Sequence, residues 1–538
     1  MVFTLHRYIF RELFKVFLLA AVALTLILSL GIILRPVQEY GVGPRQVVHL
    51  MGYFLPITLT FVLPMAALFA AALVYGRFAS DNELDACRAS GISLLTLVYP
   101  GLALAIMVAT ANLILSFHVM PVFVHRAMKS IKADAKQILF RNIQRRGYYE
   151  LPGGQYVIYA DQANSQNDTL SGVVIAGVKD NKIKKITTTE RAKMNFISHE
   201  KFNEVYITAY NTYQMDSDGT LSLGLTSVRA EFGSLLGDDI KFKKLREMKE
   251  IRDVDPMLFQ PIAKLARQTY AQLTVELLAE DIAGKIADDS NSFYKLHSDQ
   301  KLVEFTANHC ALQDEEKVEL SDEVVVVEYD ADSRQRVQTL RCTKALLHIE
   351  GDELGPTLTM ELYNATWERP DGSEALTQRH IIRGLIMPKA VTDQFVTGDE
   401  NEEEDVLEAI KLASESPALR KGPSEKLMRL QKGLHRKIKQ TLAEIEAEVH
   451  SRLVFGIGCV SVIMIGIGLG IILRGGHLLS AFGASSVPAG VLIVCIMMGK
   501  NITKNSDAQA GSGIVLMWAG LVFLALLAVV IYRKLLKN

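Results

Sequence analysis

The chain has 538 residues and a formal net charge of −1, and 49% of its residues are hydrophobic. A charge so close to balance gives no overall electrostatic attraction for nucleic acid, and the length corresponds to about three domains. The hydrophobic residues are unevenly distributed along the chain, which excludes an ordinary soluble globular protein.

Six long segments contain no Asp or Glu and almost no other charge. They are residues 16–34, 50–76, 89–117, 453–473, 478–499 and 508–532. A helix of roughly 20 apolar residues crosses a bilayer core about 30 Å thick. The sequence therefore predicts six transmembrane helices, three before and three after a long polar region. The first run is longer than a signal-peptide core and no small-x-small cleavage pattern follows it, so we expect it to be a membrane helix.

The basic residues of the short loops predict the orientation. With a cytoplasmic N-terminus, the inner side carries Arg7, Arg11, Lys15, Arg77, Arg88, Arg474, Arg533, Lys534 and Lys537. The outer short loops carry fewer: Arg35, Arg45, Lys500 and Lys504. Because Lys and Arg accumulate on the cytoplasmic side, we expect both termini in the cytoplasm and the large central region in the periplasm.

A polar interruption at residues 76–93 separates the second and third apolar runs. Ser80 and Glu83 have the spacing of a capping box, and Gly91 is a residue type that commonly ends a helix. This predicts a short helix over residues 80–91 within a membrane module of residues 1–120. Leu84, Cys87 and Gly91 fall on one side of that helix, whereas Asp81 and Asp85 share another.

Two interpretations of this short helix remain open. It can be a rigid lever that docks to a soluble partner, or Glu83 can simply cap a connector between two spans. Neither composition nor spacing decides between them.

The first part of the central region reads as β structure. A polar basic helix is expected over residues 118–142. Strands are predicted at residues 155–161, 170–178, 182–189, 193–197 and 205–211. Short strands separated by turn residues are typical of an antiparallel sandwich or jelly roll, which we assign to residues 121–255.

The rest of the central region starts with a helix. Helical spacing over residues 256–288 predicts a helical insertion at 256–300, and a second β-rich segment follows at 301–395. Its strands are expected at residues 302–312, 323–329, 337–350, 358–366 and 375–386. Cys310 and Cys342 are then both exported, which allows a disulfide. An acidic linker at 399–405 and a helix at 424–449 make up residues 396–450, and residues 451–538 hold the last three spans.

The two β stretches resemble each other. Residues 191–196 and 206–211 in the first are similar to residues 341–346 and 359–364 in the second. We interpret this as an internal duplication. The alternative is one elongated sheet domain with a helical insertion.

The sequence carries no motif for chemistry of its own. It contains no G-x-x-x-x-G-K-[ST] phosphate loop, no zinc-type Cys/His spacing and no G-x-S-x-G elbow. Ion-coupled carriers usually keep an acid at membrane depth, and the predicted spans have none. An ion-coupled flippase is therefore disfavoured. We expect a non-enzymatic α+β membrane protein without metal or cofactor, whose β domain could hold acyl chains between its sheets.

Several segments resemble the LptF/LptG (YjgP/YjgQ) permeases of lipopolysaccharide export. They are residues 6–13 (HRYIFREL), 75–84 (YGRFASDNEL), 88–93 (RASGIS), 474–476 (RGG) and 482–483 (FG), with Pro56, Pro64 and Pro121. The likeness covers residues 1–235 and 445–538. It is carried chiefly by the motif around Glu83 and by the three-plus-three arrangement of spans.

The resemblance implies an ABC transporter that extracts lipopolysaccharide or a related lipid from the inner membrane. Its partners would be an LptB-like ATPase dimer that binds the ATP, a second permease of this type, and an LptC/LptA-like periplasmic bridge that receives the lipid from a β-jelly roll. Residues matching the ATPase-coupling helix are Ser80, Asp81, Glu83, Leu84, Arg88 and Gly91. Arg35 lies at a place similar to a basic position that contacts substrate phosphates, and Arg45 in the same outer loop is the second candidate for substrate binding.

The chain departs from the family pattern in its central region, which is far longer than one jelly roll requires. We therefore hypothesise that the second β segment replaces or extends the LptC-like partner. Whether the chain is LptF-like or LptG-like, and whether it pairs with itself, stays open. The alternative function is a membrane-anchored ligand-binding receptor or scaffold, which the near absence of cytoplasmic mass disfavours.

Overall fold

The structure is a computed structural model. It describes residues 2–40, 44–133, 135–151, 156–179, 182–198, 203–216, 219–232, 239–288, 293–298, 301–313, 317–330, 333–350, 357–369, 373–388, 391, 424–473, 478–505 and 510–537. The chain forms two compact units, one of Met1–Arg252 with Gln440–Asn538 and the other of Asp253–Lys439. The acidic segment 399–405 and the RGG segment 474–476 lie outside the described residues.

Eleven α-helices are present in the described residues. They are α1 (Val2–Tyr40), α2 (Pro44–Ser80), α3 (Glu83–Ala89), α4 (Leu94–Ile114), α5 (Met120–Ala133), α6 (Ala135–Arg146), α7 (Leu245–Asp253), α8 (Gln260–Asp288), α9 (Glu425–Ile472), α10 (Leu478–Asn505) and α11 (Ala510–Lys537). A π-helical turn, Leu115–Val119, joins α4 to α5. Short 3₁₀ turns are Ile240–Phe242 and Pro256–Leu258.

Six of the described helices are long and apolar enough to cross a membrane, as predicted. They correspond to α1, α2, α4 with its continuation into α5, α9, α10 and α11. Small residues let the helix backbones come close together. A Cβ added at Gly470 of α9 would lie 2.8 Å from the carbonyl oxygen of Ala72 in α2, and one at Gly499 of α10 would lie 2.6 Å from that of Gly513 in α11.

The first unit contains a six-stranded antiparallel sheet. Its strands are β1 (Tyr148–Glu150), β2 (Tyr156–Asn164), β3 (Thr169–Lys179), β4 (Lys182–Ser198), β5 (Asn203–Asp216) and β6 (Gly219–Phe232). Each strand pairs with the one before it. The described strands therefore form a meander, whereas a jelly roll has two sheets joined by Greek keys, and the expected jelly-roll connectivity is wrong here. Helix α6 packs one apolar face, including Leu139 and Phe140, on the sheet.

The strands expected at residues 182–189 and 193–197 form one continuous strand, β4. Strand β6 was not predicted. The reason is a row of residues that crosses the sheet and interrupts its regular pairing. This row, called the crease below, consists of Asp161, Gly172, Glu190, Asn211 and Gly224, each opposite the next. Gly172 and Asn211 have left-handed φ angles of 62° and 52°. In β4 the buried positions shift by one residue at the crease, from Thr187 and Thr189 to Ala192 and Met194, and this break in the alternation imitates a strand end in the sequence.

The second unit contains a seven-stranded antiparallel sheet. Its strands are β7 (Tyr294–His297), β8 (Lys301–Thr306), β9 (His309–Gln313), β10 (Lys317–Asp330), β11 (Arg336–Glu350), β12 (Thr357–Glu368) and β13 (Glu374–Ile386). The segment 302–312, predicted as one strand, is divided into β8 and β9, which pair with different halves of β10. Strand β7 lies within residues 256–300, which were predicted to be helical.

The second sheet closes on itself. Strands β7, β8, β10, β11, β12 and β13 follow one another around a ring, and Ile386 of β13 pairs with His297 of β7 to complete it. A ring of so few strands encloses only enough space for side chains. Most of its inner face is apolar and buried, as at Phe305, Val326 and Met360. The interior is therefore a packed core.

Helix α8 precedes this sheet and starts later than predicted. Asp255 accepts a hydrogen bond from the amide of Met257 at 2.9 Å and caps a separate 3₁₀ turn, so the α-helix begins only at Gln260. The buried carboxylate of Glu276 in α8 accepts hydrogen bonds from the amide and hydroxyl of Ser424. Ser424 precedes α9, and α9 then continues to Ile472 as the long helix that the sequence predicted.

The two β stretches are alike locally but not as whole domains. The similar segments lie in β4–β5 and in β11–β12, and each second strand ends its motif with a left-handed asparagine, Asn211 or Asn364. The registers differ, because Phe196 pairs with Val205 whereas its counterpart Leu346 pairs with Glu361. One sheet is an open meander and the other a ring. The shared feature is thus a creased hairpin, and the strand order does not support duplication of a complete domain.

Candidate functional site

The segment between α2 and α4 contains the short helix α3, whose start differs from the prediction. Ser80 is the last residue of α2, and the α2 hydrogen bonding continues to the amide of Asp81, which donates to the carbonyl of Arg77 at 2.8 Å. Asn82 precedes α3 with a left-handed φ of 58° and makes no side-chain cap. Glu83 is therefore the first residue of α3, and the expected Ser80–Glu83 capping box is wrong because Ser80 is itself helical.

The end of α3 follows the prediction. Gly91 has a φ of 83°, the left-handed conformation that glycine adopts most readily. Its amide donates to the carbonyl of Arg88 at 2.9 Å, and the amide of Ile92 donates to the carbonyl of Cys87 at 3.2 Å. This pair of bonds is a Schellman motif, which satisfies the last carbonyls of the helix. Both boundaries of α3 are thus fixed by backbone geometry.

Helix α3 has one buried side and one exposed side. Leu84 is 2% exposed and packs into the core formed by α1, α2 and α4, with Cys87 partly buried beside it. Glu83 and Arg88 are exposed. Asp81 is also exposed, but it lies in the turn before α3, so it does not share a helical face with Asp85 as expected.

Three side chains from the motifs near the N-terminus and before α3 hold this region together. His6 of α1 hydrogen-bonds the carbonyl of Thr96 at the start of α4 at 2.8 Å. Tyr75 of α2 donates to the carbonyl of Leu97 at 2.9 Å, and Arg77 lies 3.6 Å from Glu12. Sequence reasoning missed these positioning roles, although a polar group next to an apolar run was the available signal.

The side chains of the predicted substrate-binding residues, Arg35 and Arg45, lie outside the described part of the chain. The backbone of Arg35 belongs to α1 and that of Arg45 to α2. Their role remains a prediction.

A second polar cluster, also missed by sequence reasoning, surrounds Arg452 of α9. Its guanidinium donates to Glu448 at 3.0 Å, to the carbonyl of Ser116 in the π-helical turn at 3.1 Å, and to the carbonyl of Lys241 at 2.8 Å. Lys500 of α10 donates to the other carboxylate oxygen of Glu448. The Arg452 side chain is 3% exposed. A charge so buried requires such partners, and it fixes α9, α10 and the π-helical turn relative to one another.

A third cluster lies inside the ring of the second unit. Glu328 of β10 is 0% exposed and accepts hydrogen bonds from Lys301 at 2.8 Å, Gln338 at 2.9 Å and His380 at 3.1 Å. His380 belongs to β13, on the opposite side of the ring from β10. Burial alone would raise the pKa of Glu328, but the donors, His380 first, lower it to about 2.

The cysteines and acids of the described residues form neither a disulfide nor a metal centre. Cys310 and Cys342 are free thiols, and burial raises the pKa of each to about 11. Within the described ranges, no group of three His, Cys, Asp or Glu side chains is placed to hold a metal ion.

The membrane helices and the inserted β units define a class of protein: a multi-pass membrane protein with large β-rich extramembrane regions between its third and fourth spans. A family model described as "Lipopolysaccharide export system permease LptF/LptG" matches residues 7–275. The chain belongs to this family of inner-membrane permeases. The match covers α1 through the first sheet and ends within α8, so the ring and the last three spans lie beyond it. A search of curated proteins found no match.

Proposed function

We propose that the chain is the permease subunit of an ATP-driven exporter that takes lipopolysaccharide, or a related lipid, from the inner membrane towards the outer membrane. The observation that carries this proposal is α3. Leu84 anchors it, a Schellman motif fixes its end, and Glu83 and Arg88 are left exposed. A short rigid helix with an exposed ionic face suits a partner that pushes on the membrane helices.

The energy in this proposal comes from a separate LptB-like ATPase dimer, since the sequence has no phosphate loop. Both termini and α3 lie in the cytoplasm, and the β units lie in the periplasm. A second LptF/LptG-type permease completes the membrane cavity, and Arg35 and Arg45 contact lipid phosphates there.

The second unit, in this proposal, extends or replaces an LptC-like partner. Its ring lies outside the family match, and its interior is filled by buried apolar side chains. The ring therefore acts as a module that contacts the periplasmic bridge, and the lipid does not pass through its lumen.

Charge reversal at Glu83 tests the ATPase coupling. Tagged full-length chain would be purified from membranes with its partners, as wild type, Glu83→Arg and the exposed control Glu150→Arg. We expect a cytosolic ATPase to accompany wild type and Glu150→Arg, and to be lost or strongly reduced with Glu83→Arg. ATP-dependent release of lipopolysaccharide from proteoliposomes should follow the same order.

An ATPase retained by Glu83→Arg would refute the coupling role of this residue. A chain that binds the lipid but recruits no ATPase would instead be the receptor or scaffold.

A further inference from the structure

A polar groove of about 670 Å³ lies in the first unit, between the end of α6 and the β2–β3 hairpin. It is lined by amide, hydroxyl and guanidinium groups, among them those of Gln144, Gln162, Asn164, Asn167, Ser171 and Arg191. The one alkyl side chain in its lining is the small Ala163. The lining is therefore unsuited to an acyl chain.

The groove lies beside the crease in the sheet. Strand β1 pairs only with residues 157–159 of β2, so the later part of β2 faces α6, and Gln144 donates to the carbonyl of Ala163 at 2.8 Å. Gln162, Ser171 and Arg191 are direct cross-strand neighbours next to the crease. Cross-strand neighbours project to the same side of a sheet.

This cross-strand row continues to an aromatic residue. Arg191 is opposite Tyr210 of β5, which is 47% exposed. An amide, a hydroxyl, a cation and an aromatic ring thus follow one another across four strands.

Arg191, the cationic residue in the groove lining, has no ion-pair partner in the described part of the chain. No carboxylate there pairs with Arg191, whereas the nearby Lys136 and Asp168 neutralise each other. Asp161 and Glu190 belong to the crease row and do not line the groove. The site therefore keeps one positive charge among neutral groups that both donate and accept hydrogen bonds.

We propose that this groove binds an anionic saccharide, a sugar that carries a phosphate or carboxylate. Amides and hydroxyls match sugar hydroxyls in both hydrogen-bonding directions, and a guanidinium binds phosphate or carboxylate through two parallel bonds. The proposal rests on the proposed function, since the sugar would be the headgroup of the exported glycolipid. A free sugar phosphate has the same chemistry, so the test must separate the two sources.

Binding to full-length protein in detergent tests the site with three probes. The probes are purified lipopolysaccharide, its deacylated phosphorylated oligosaccharide and glucose 1-phosphate. The variants are Arg191→Gln, Gln162→Ala and the control Lys184→Gln, which removes one exposed positive charge elsewhere on β4. Elution as a monodisperse species with an unchanged melting temperature shows that each variant is folded.

We expect the deacylated oligosaccharide to bind wild type and Lys184→Gln equally, and Arg191→Gln roughly tenfold more weakly, as for loss of a charge-assisted contact. Gln162→Ala should weaken binding by a smaller factor. Glucose 1-phosphate binding as tightly as the oligosaccharide would identify a free sugar phosphate as the ligand, and weaker binding would identify the headgroup.

Equal oligosaccharide binding by wild type, Arg191→Gln and Gln162→Ala would overturn the site, as would binding only of the acylated lipid. Neither result affects the ATPase co-purification with Glu83, so failure of this site and failure of the proposed function are distinguishable.

Discussion

Glu328 and Glu448 are buried carboxylates in different units, and each is held by a different set of cations and donors. Glu328 joins opposite sides of the ring through His380, and Glu448 joins α9 to α10 through Arg452 and Lys500. Removing one member of such a cluster leaves buried charges and hydrogen-bonding groups only partly satisfied, so single substitutions there should have large effects.

The pKa of Glu328 predicts acid sensitivity of the ring. Its folded pKa of about 2 lies below its ordinary value of 4.5. A lowered folded pKa means that stabilisation is complete above pH 4.5 and is lost as the pH falls towards 2, by about 3 kcal/mol in total. Thermal unfolding between pH 7 and 3 should show wild type losing stability faster than Glu328→Gln, which should be less stable at pH 7. Parallel pH profiles would contradict this assignment.

The contacts of Arg452 predict that breaking a buried ion pair lowers stability more than breaking an exposed one. Arg452→Leu should destabilise the membrane unit by about 3–5 kcal/mol, because Glu448 loses one of its two cations and the carbonyls of Ser116 and Lys241 lose their donor. The control Lys504→Ala breaks the pair with Glu444, 3.1 Å apart and 43% exposed at the lysine, and should change stability by at most about 1 kcal/mol. Melting curves in detergent measure both; equal effects would show that the Arg452 contacts are not stabilising.

At the scale of elements, the crease interrupts the regular pairing of the first sheet next to the groove. The backbone is left-handed at Gly172 and Asn211. The same face of the sheet stays buried before and after the interruption, as Ala209 and Thr212 of β5 show. The residues on either side of it pair regularly. The crease is therefore a local bend in a continuous sheet.

Gly172→Ala tests the crease. A left-handed non-glycine residue costs about 1–2 kcal/mol, and the added Cβ would also meet the side chain of Asp161. The control Gly177→Ala lies on the same strand without a positive φ, and its Cβ would have 3.6 Å to the nearest atom. We expect a lower melting temperature and weaker oligosaccharide binding for Gly172→Ala alone. If both variants behave like wild type, the bend does not depend on the glycine.

At the scale of the molecule, the proposed function requires α3 and the β units to lie on opposite sides of the membrane. In a background with all five native cysteines replaced by serine, Ser165→Cys on the β2–β3 turn and Ser80→Cys at the end of α2 each place one exposed thiol at one of these sites. A membrane-impermeant maleimide added to spheroplasts should label Ser165→Cys directly and Ser80→Cys only after permeabilisation. The reverse pattern would place α3 outside and exclude coupling to a cytosolic ATPase.

Local sequence patterns were enough to predict the six membrane helices, most strands and the end of α3 at Gly91. These features depend on local properties: the length of an apolar run, period-two alternation and the conformational freedom of one glycine. Residues separated by tens or hundreds of positions play no part in them.

The tertiary structure alone decided where α2 ends, which strands close the ring and which groups meet at Arg452. The partners of Arg452 come from Ser116, Lys241 and Glu448, and no local pattern connects these positions. The groove likewise combines residues of α6, β2, β3 and β4. Long-range packing selects such partners because a buried charge or an open strand edge must find its hydrogen bonds wherever the fold brings them.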